Sequence, residues 1–228
     1  MTSAEVHEVR DPGLPGRLLV TERDALIPLL RSRPEADFAL PTAACPGWTV
    51  RDVLAHCSAA LTRVVENRFE AGVFSPESNE RDIAERAGWS HARVLDELER
   101  GMTEAGPVIA ESGGALDAIA FGEWVHAGDV RESLGAPGAY AGAGLPYALI
   151  LLARVTRERG RLPLHADLDD ADEPLRLGDV SGERTPARYI GDAPTLVRLC
   201  AGRPVPADGA GPGYELAGAD AGELNIFG

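Results

Sequence analysis

Lysine is absent from the 228-residue sequence: all 22 basic residues are arginine. A phosphate-binding P-loop, which needs Gly-Lys followed by Ser or Thr, is thereby excluded, as is every mechanism that runs through a lysine Schiff base. Cysteine is scarce. The 3 cysteines, Cys45, Cys57 and Cys200, are odd in number and lack CxxC spacing. They read as reduced thiols in a reducing compartment rather than as a disulfide framework. Also missing is any unbroken apolar run near the roughly 18 to 20 residues that cross a bilayer. The opening MTSAEVHEVRDPG lacks the basic-then-apolar order of a signal peptide. A cytoplasmic location is expected. There is no surplus of positive charge: the net charge is −14. That argues against a nucleic-acid surface, where basic groups displace counterions, and against docking on an anionic leaflet. A dispersed acidic surface accounts for solubility. Abundant alanine, glycine and arginine without lysine is the bias of a GC-rich genome, and an actinobacterial source is expected.

What is present is ordinary for a globular protein. A hydrophobic fraction of 44% supports a substantial core, and the length suits one large domain or a main domain with a smaller companion. Residues 18–33 read as a first helix with Pro28 as a possible kink. Thr49-Val-Arg-Asp52 is a capping box that opens a second helix. Residues 79–100 read as a third, with Ile83, Ala87, Val94, Leu95 and Leu98 facing the core. After the break at Gly113-Gly114 a fourth helix runs over 116–134, closed by Gly135, and a fifth carries Pro146 in its first turn and ends at Gly160. Beyond Gly160 the pattern changes to short runs, Pro174–Leu177 and Ala187–Ile190, between Gly, Pro and Asp, with one short helix at Pro194–Cys200. The expected fold is mainly α: an antiparallel helical bundle over residues 1–160, then a small α+β domain over 161–228.

On the fourth helix stands Glu123-Trp-Val-His126. Residues three apart on a helix are neighbours, so both side chains can converge on one ion. An imidazole and a carboxylate suit zinc, iron or nickel, and bundle cores use Glu-x-x-His pairs in this way. The same spacing also arises on solvated helix faces. His56, one turn into the second helix, would supply a third ligand; by itself it reads equally as a hydrogen-bonded core histidine. Three protein ligands and a water form an open, catalytic site. Asp52 and Asp129 lie where either could accept the second imidazole N–H of a metal histidine. Alternatively, Asp52 is a helix N-terminal charge and Asp129 a solvated carboxylate. Cys57 points about 100° round the helix from His56 and reads as a packed thiol. His7, His91 and His165 read as solvated, and Trp48 and Trp124 as helix-packing residues.

CPGWTVRDVLAH (45–56) and GEWVHAGDVRESLG (122–135) resemble the mycothiol-dependent maleylpyruvate isomerase family of the DinB-like superfamily. The likeness covers most of residues 15–160. The tail, with LVRLCAGRP (196–204) and the terminal NIFG, resembles that family's small C-terminal domain less specifically. The resemblance implies a DinB-like four-helix bundle and a divalent metal, usually zinc, held by His56, Glu123 and His126, where the thiol of mycothiol is activated. It further implies a small electrophilic substrate that is isomerised or receives the thiol, and a role for Arg203 at the cleft, where it could hold a carboxylate. A monomer or homodimer is expected. The family spaces its Glu and His by four residues, whereas here the spacing is three. Two other readings stand beside this one: a metal-dependent tailoring or hydrolytic enzyme without a thiol, and a non-catalytic metal-binding or interaction protein.

Overall fold

The computed structural model describes residues 10–70, 72–73, 75–169, 171–179, 181–206 and 213–227; His7 lies outside them. Side-chain caps set most of the helix starts. Thr49 accepts from the Asp52 N–H and Asp52 accepts from the Thr49 N–H, a reciprocal box that opens α2 (Val50–Val65). Ser75 caps α3 (Pro76–Arg86) and Ser90 caps α4 (His91–Glu111). The remaining helices of the N-terminal part are α1 (Leu14–Arg31), which continues through Pro28, α5 (Asp117–Ser133) and α6 (Leu145–Glu158).

The single helix expected over 79–100 is two. The chain turns at Gly88-Trp89, and the Ser90 hydroxyl takes up the Arg93 N–H, so a new helix starts in a new direction. The core face of α3 also differs from expectation, because its buried residues are Ser78, Asp82 and Arg86. Ile83 is only half-buried and Ala87 is exposed. Polar partners make that burial tolerable: Asp82 pairs with Arg63 of α2, and Arg86 with Glu97 of α4.

α4 packs along α1 and α2, and α5 packs against α1, α2 and α6. Gly16 and Gly106 permit backbone contact between α1 and α4: a Cβ on Gly106 would stand 2.8 Å from the Gly16 Cα. The start of α5 meets the end of α6, where Arg154 donates to Asp117 at 2.6 Å, so these two helices run antiparallel.

The tail forms a four-stranded sheet in the order β2-β1-β3-β4, from β1 (Leu164–Leu168), β2 (Leu175–Leu177), β3 (Ala187–Gly191) and β4 (Glu215–Ala217). β1 and β3 pair in parallel, and the other pairs are antiparallel. β1 and β4 escaped the sequence reading, one being short with His165 and Asp167 at alternate positions, the other only three residues long. α7 (Ala193–Cys200) begins at Asp192, whose carboxylate accepts from the Thr195 N–H. The tail is joined to the bundle by hydrogen bonds from Gly178 N–H to Thr156 Oγ1 and from the Arg159 guanidinium to the Ile226 carbonyl. One continuous apolar core reaches from Leu14 through the bundle to Ile226.

Candidate metal and substrate cleft

Two helices, α2 and α5, bring the three expected ligands to one cavity of about 630 Å³. The capping box sets the register of α2, and His56 follows one turn after it with 8% of its surface exposed. Glu123 and His126 project from α5 three residues apart, and Glu123 is only 4% exposed. The rings of His56 and His126 lie 5.3 Å apart, nearly perpendicular.

Two buried ligand atoms in this group have no hydrogen-bond partner, His56 Nδ1 and Glu123 Oε2. Burial, then the neighbouring His126, pushes His56 down to about 3, so its imidazole is neutral. Burial pushes Glu123 up to about 8, against a smaller opposing pull from the Cys57 thiol. Unsatisfied polar atoms in an interior are costly. A neutral imidazole and a carboxylate that lacks a counter-charge are donor types that suit a divalent cation, although the ligand atoms of His56, Glu123 and His126 do not all lie within 4.8 Å of one another.

Asp129, the third member of the i, i+3 series on α5, has a side chain fully withdrawn from solvent. His126 Nδ1 donates to its Oδ2 at 2.9 Å, which leaves the lone pair on Nε2. Burial alone would raise the Asp129 carboxyl, but the His126 hydrogen bond and the Arg203 charge hold it below its ordinary value. Tyr140 adds a hydrogen bond from its hydroxyl. Gly128 makes room for that: a Cβ there would fall 2.6 Å from the Tyr140 ring. Tyr140 itself is held at φ 59°, a conformation rare outside glycine, with the Arg198 guanidinium 4.1 Å above its ring.

Two expectations change here. Asp52 does not meet His56; its Oδ2 accepts from Thr49 N–H at 2.9 Å and Thr49 Oγ1 at 2.7 Å, so it serves the helix cap. Arg203 lines the cavity, but its guanidinium grips Asp129 with two parallel bonds, Nε to Oδ1 at 3.0 Å and NH2 to Oδ2 at 2.8 Å. A bidentate pair with a side chain only 14% exposed is neutralised, and its geometry orients Asp129 rather than a substrate.

Three polar lining residues were not singled out for the site by the sequence. Cys45, in the loop before α2, places Sγ 3.7 Å from Asp129 Oδ2 and 3.9 Å from His126 Nδ1. Cys45, His126 and Asp129 hold ligand atoms within 4.8 Å of one another. The trio reads better as a hydrogen-bonded support, since Arg203 and Tyr140 already occupy Asp129, and burial beside Asp129 pushes the Cys45 thiol up to about 12. Asn79 on α3 lines the cavity with Oδ1 buried and without a partner. Arg159, at the end of α6, is the third. Of these only Cys45 stood inside a motif, the CPGW run.

Trp48 lines the cavity beside His56, with ring centroids 5.3 Å apart, while Trp124 is buried in the core. Cys57 is buried and its thiol raised well above the ordinary value by burial, as a packed thiol would be. His91 stacks on Phe38 at 4.4 Å rather than standing free in solvent, and His165 is exposed.

Residues 19–136 match the family described as mycothiol maleylpyruvate isomerase N-terminal domain. Among solved structures, the crystal structure of the mycothiol-dependent maleylpyruvate isomerase aligns with a TM-score of 0.51 and 16% identity, over 86% of this chain and 90% of that one. A histidine-to-alanine mutant of that isomerase aligns over the same shares with a TM-score of 0.52 and 17% identity. No curated protein matches the chain. At such identities the likeness of the structures speaks to the fold, a DinB-like helical bundle with a small α+β C-terminal part.

Proposed function

Because the chain belongs to the mycothiol maleylpyruvate isomerase N-terminal domain family, we propose that it is a metal-dependent enzyme acting on a small electrophile with mycothiol. His56, Glu123 and His126 are the residues that would hold the metal, most suitably zinc. The observation that carries this reading is the pair of orphaned buried ligand atoms, His56 Nδ1 and Glu123 Oε2, on residues that line the same cavity as His126. Together the cation and mycothiol would supply a thiolate at neutral pH, for isomerisation of the electrophile or transfer of the thiol to it.

The chain's own residues perform the preparation. Burial keeps His56 unprotonated and therefore able to ligate. Asp129 holds the proton of His126 on Nδ1, and Arg203 and Tyr140 hold Asp129. Asn79 offers an amide to a polar group of substrate or thiol. Trp48 and Phe227 wall the cavity with aromatic surface.

Two measurements test the reading. Metal analysis of protein purified without chelator is expected to find one divalent ion per chain, and less in His56→Ala and His126→Ala. Mass spectrometry of mixtures containing protein, metal, mycothiol and a panel of activated alkenes is expected to reveal an isomer or a thiol adduct. A metal content unmoved by both substitutions, or a panel without any product, would sink the proposal.

A further inference from the structure

We propose that Trp48 and Asn79 form a subsite that selects the thiol by an uncharged, hydroxyl-bearing ring attached to it, of the sugar or cyclitol class. The inference rests on the thiol-dependent reading proposed above and adds to it which part of the thiol the protein grips. Trp48 lines the cavity from the loop before α2, and Pro76 and Asn79 line it from the start of α3. The two segments are tied together, because the Trp48 indole N–H donates to Glu80 Oε1 at 2.8 Å. The ring of Trp48 stands 5.3 Å from that of His56, so the subsite adjoins the proposed metal ligands.

The indole is held in place before any ligand arrives. The Trp48 backbone N–H donates to the Cys45 carbonyl at 3.0 Å, and the Trp48 carbonyl accepts from Thr42 N–H at 3.0 Å and from Thr42 Oγ1 at 2.9 Å. With backbone and indole N–H both occupied, Trp48 is left to offer the apolar face of a half-buried ring. Such a face suits the C–H side of a saturated ring, while polar groups beside it take the hydroxyls on the ring's edge. Asn79 is the polar group in position to do so. Its Oδ1 is buried without a hydrogen-bond partner, a state that costs free energy until a ligand pairs with the amide. A hydroxyl is donor and acceptor at once, so it pairs with the amide whichever way the amide is turned.

Charge narrows the class further. Where the loop meets α3, the lining residues Pro46, Trp48, Pro76 and Asn79 are all uncharged. The group bonded to the indole, Glu80, is acidic, and the chain carries a net charge of −14. An anionic thiol such as glutathione would meet an acidic side chain at this edge and no cation among those four residues. A neutral polyol meets no such repulsion. Discrimination then lies in the ring itself, since a site built to pair with a hydroxyl rejects a thiol that lacks one.

The test is calorimetric titration of the full-length protein with S-methyl mycothiol, whose sulfur is capped, and with N-acetyl-S-methylcysteine amide, the same arm without its rings. S-methylglutathione serves as the anionic comparison. The parent is expected to bind S-methyl mycothiol at least about tenfold more tightly than either of the others, as the loss of stacking and a hydrogen bond together implies. Trp48→Ala is expected to lose about tenfold in that affinity, Trp48→Phe less, and Asn79→Ala about fivefold, as removal of one hydrogen bond does. Affinity for the ringless arm is expected to stay at the parent's value in all three, which a general disturbance of the fold would not allow. Should Trp48→Ala misfold, saturation-transfer NMR on the parent gives the same answer: irradiating the protein's aromatic protons is expected to saturate the ring C–H protons of S-methyl mycothiol. Equal binding of the three probes, parent-like binding by a folded Trp48→Ala or Asn79→Ala, no saturable binding by the parent, or unsaturated ring protons would overturn the assignment. A capped sulfur makes the result independent of turnover. Binding in the expected pattern without any product in the mass-spectrometric panel keeps the subsite and sinks the enzymatic reading, and product without the pattern does the reverse.

Discussion

Asp129 shows why one carboxylate among thirty-six acidic residues matters. It accepts from an imidazole, a phenol and a guanidinium at once, and its side chain is sealed from water. Removing one partner of a buried ion pair leaves the other charge uncompensated, which costs about 3–5 kcal/mol. Arg203→Ala is therefore expected to lower stability by roughly that amount in chemical denaturation, discounted somewhat for the solvent that still reaches the guanidinium. It is also expected to weaken metal binding, because His126 loses its fixed orientation. A variant as stable as the parent would mean that Asp129 is held by His126 and Tyr140 alone. Asp52 supplies the contrast. Asp52→Ala is expected to cost about 1 kcal/mol, the worth of a capping side chain, and to leave metal affinity unchanged in a chelator competition. Weakened metal binding in that variant would restore a link between Asp52 and His56. For Glu123, burial already removes the solvent-facing alternative. Glu123→Ala is expected to weaken metal binding more than Glu123→Gln, whose amide oxygen still ligates feebly; parent-like affinity in both would leave a two-histidine site.

Among the elements, α5 does the most. Its i, i+3 series Glu123, His126 and Asp129 was legible from spacing, because a helix converts sequence separation into direction without help from the rest of the chain. The glycines on the same helix were not. Gly122 and Gly128 look alike in sequence, yet a Cβ on the first meets only Phe227 at 3.9 Å, and on the second collides with Tyr140 at 2.6 Å. Gly122→Ala is expected to be neutral or to stabilise by up to about 1 kcal/mol through helix propensity. Gly128→Ala is expected to destabilise by about 1–3 kcal/mol, as overpacking does, and to disturb the Tyr140–Asp129 bond. Thermal melts of the two variants check this, and equal midpoints would refute it. The break between α3 and α4 shows the same limit. Helical periodicity continues across residues 79–100, whereas the cap at Ser90 and the polar core face of Asp82 and Arg86 follow from ion pairs with α2 and α4.

At the scale of the molecule the question is how far the tail belongs to the site. The composition change at Gly160 coincides with the end of the bundle, and a unit over residues 1–160 remains our proposal for the chain's organisation. The tail nevertheless reaches back: Arg203 to Asp129, Arg198 to Glu132, and Phe227 onto Phe121. A fragment of residues 1–160 is expected to keep its helical circular dichroism and melt cooperatively, but at a lower temperature than the full chain. It is also expected to bind metal more weakly, since Asp129 has lost its guanidinium. A fragment without cooperative melting would make bundle and tail one folding unit.

By itself the sequence determined what is local. Caps and breakers located most helices, helical spacing put Glu123, His126 and Asp129 on one face, and absences excluded lysine chemistry and a spanning helix. The tertiary structure decided every pairing between distant positions. It set Asp52 on the cap and Asp129 on His126, gave Arg203 an internal partner, and turned Asn79, Cys45 and Arg159 toward the cavity. The physical reason is range. A cap or an i, i+3 pair is fixed by backbone geometry within a turn, whereas a contact across 74 residues, such as Arg203 with Asp129, depends on how helices rotate and where the tail lands, and the packing of the whole core sets that.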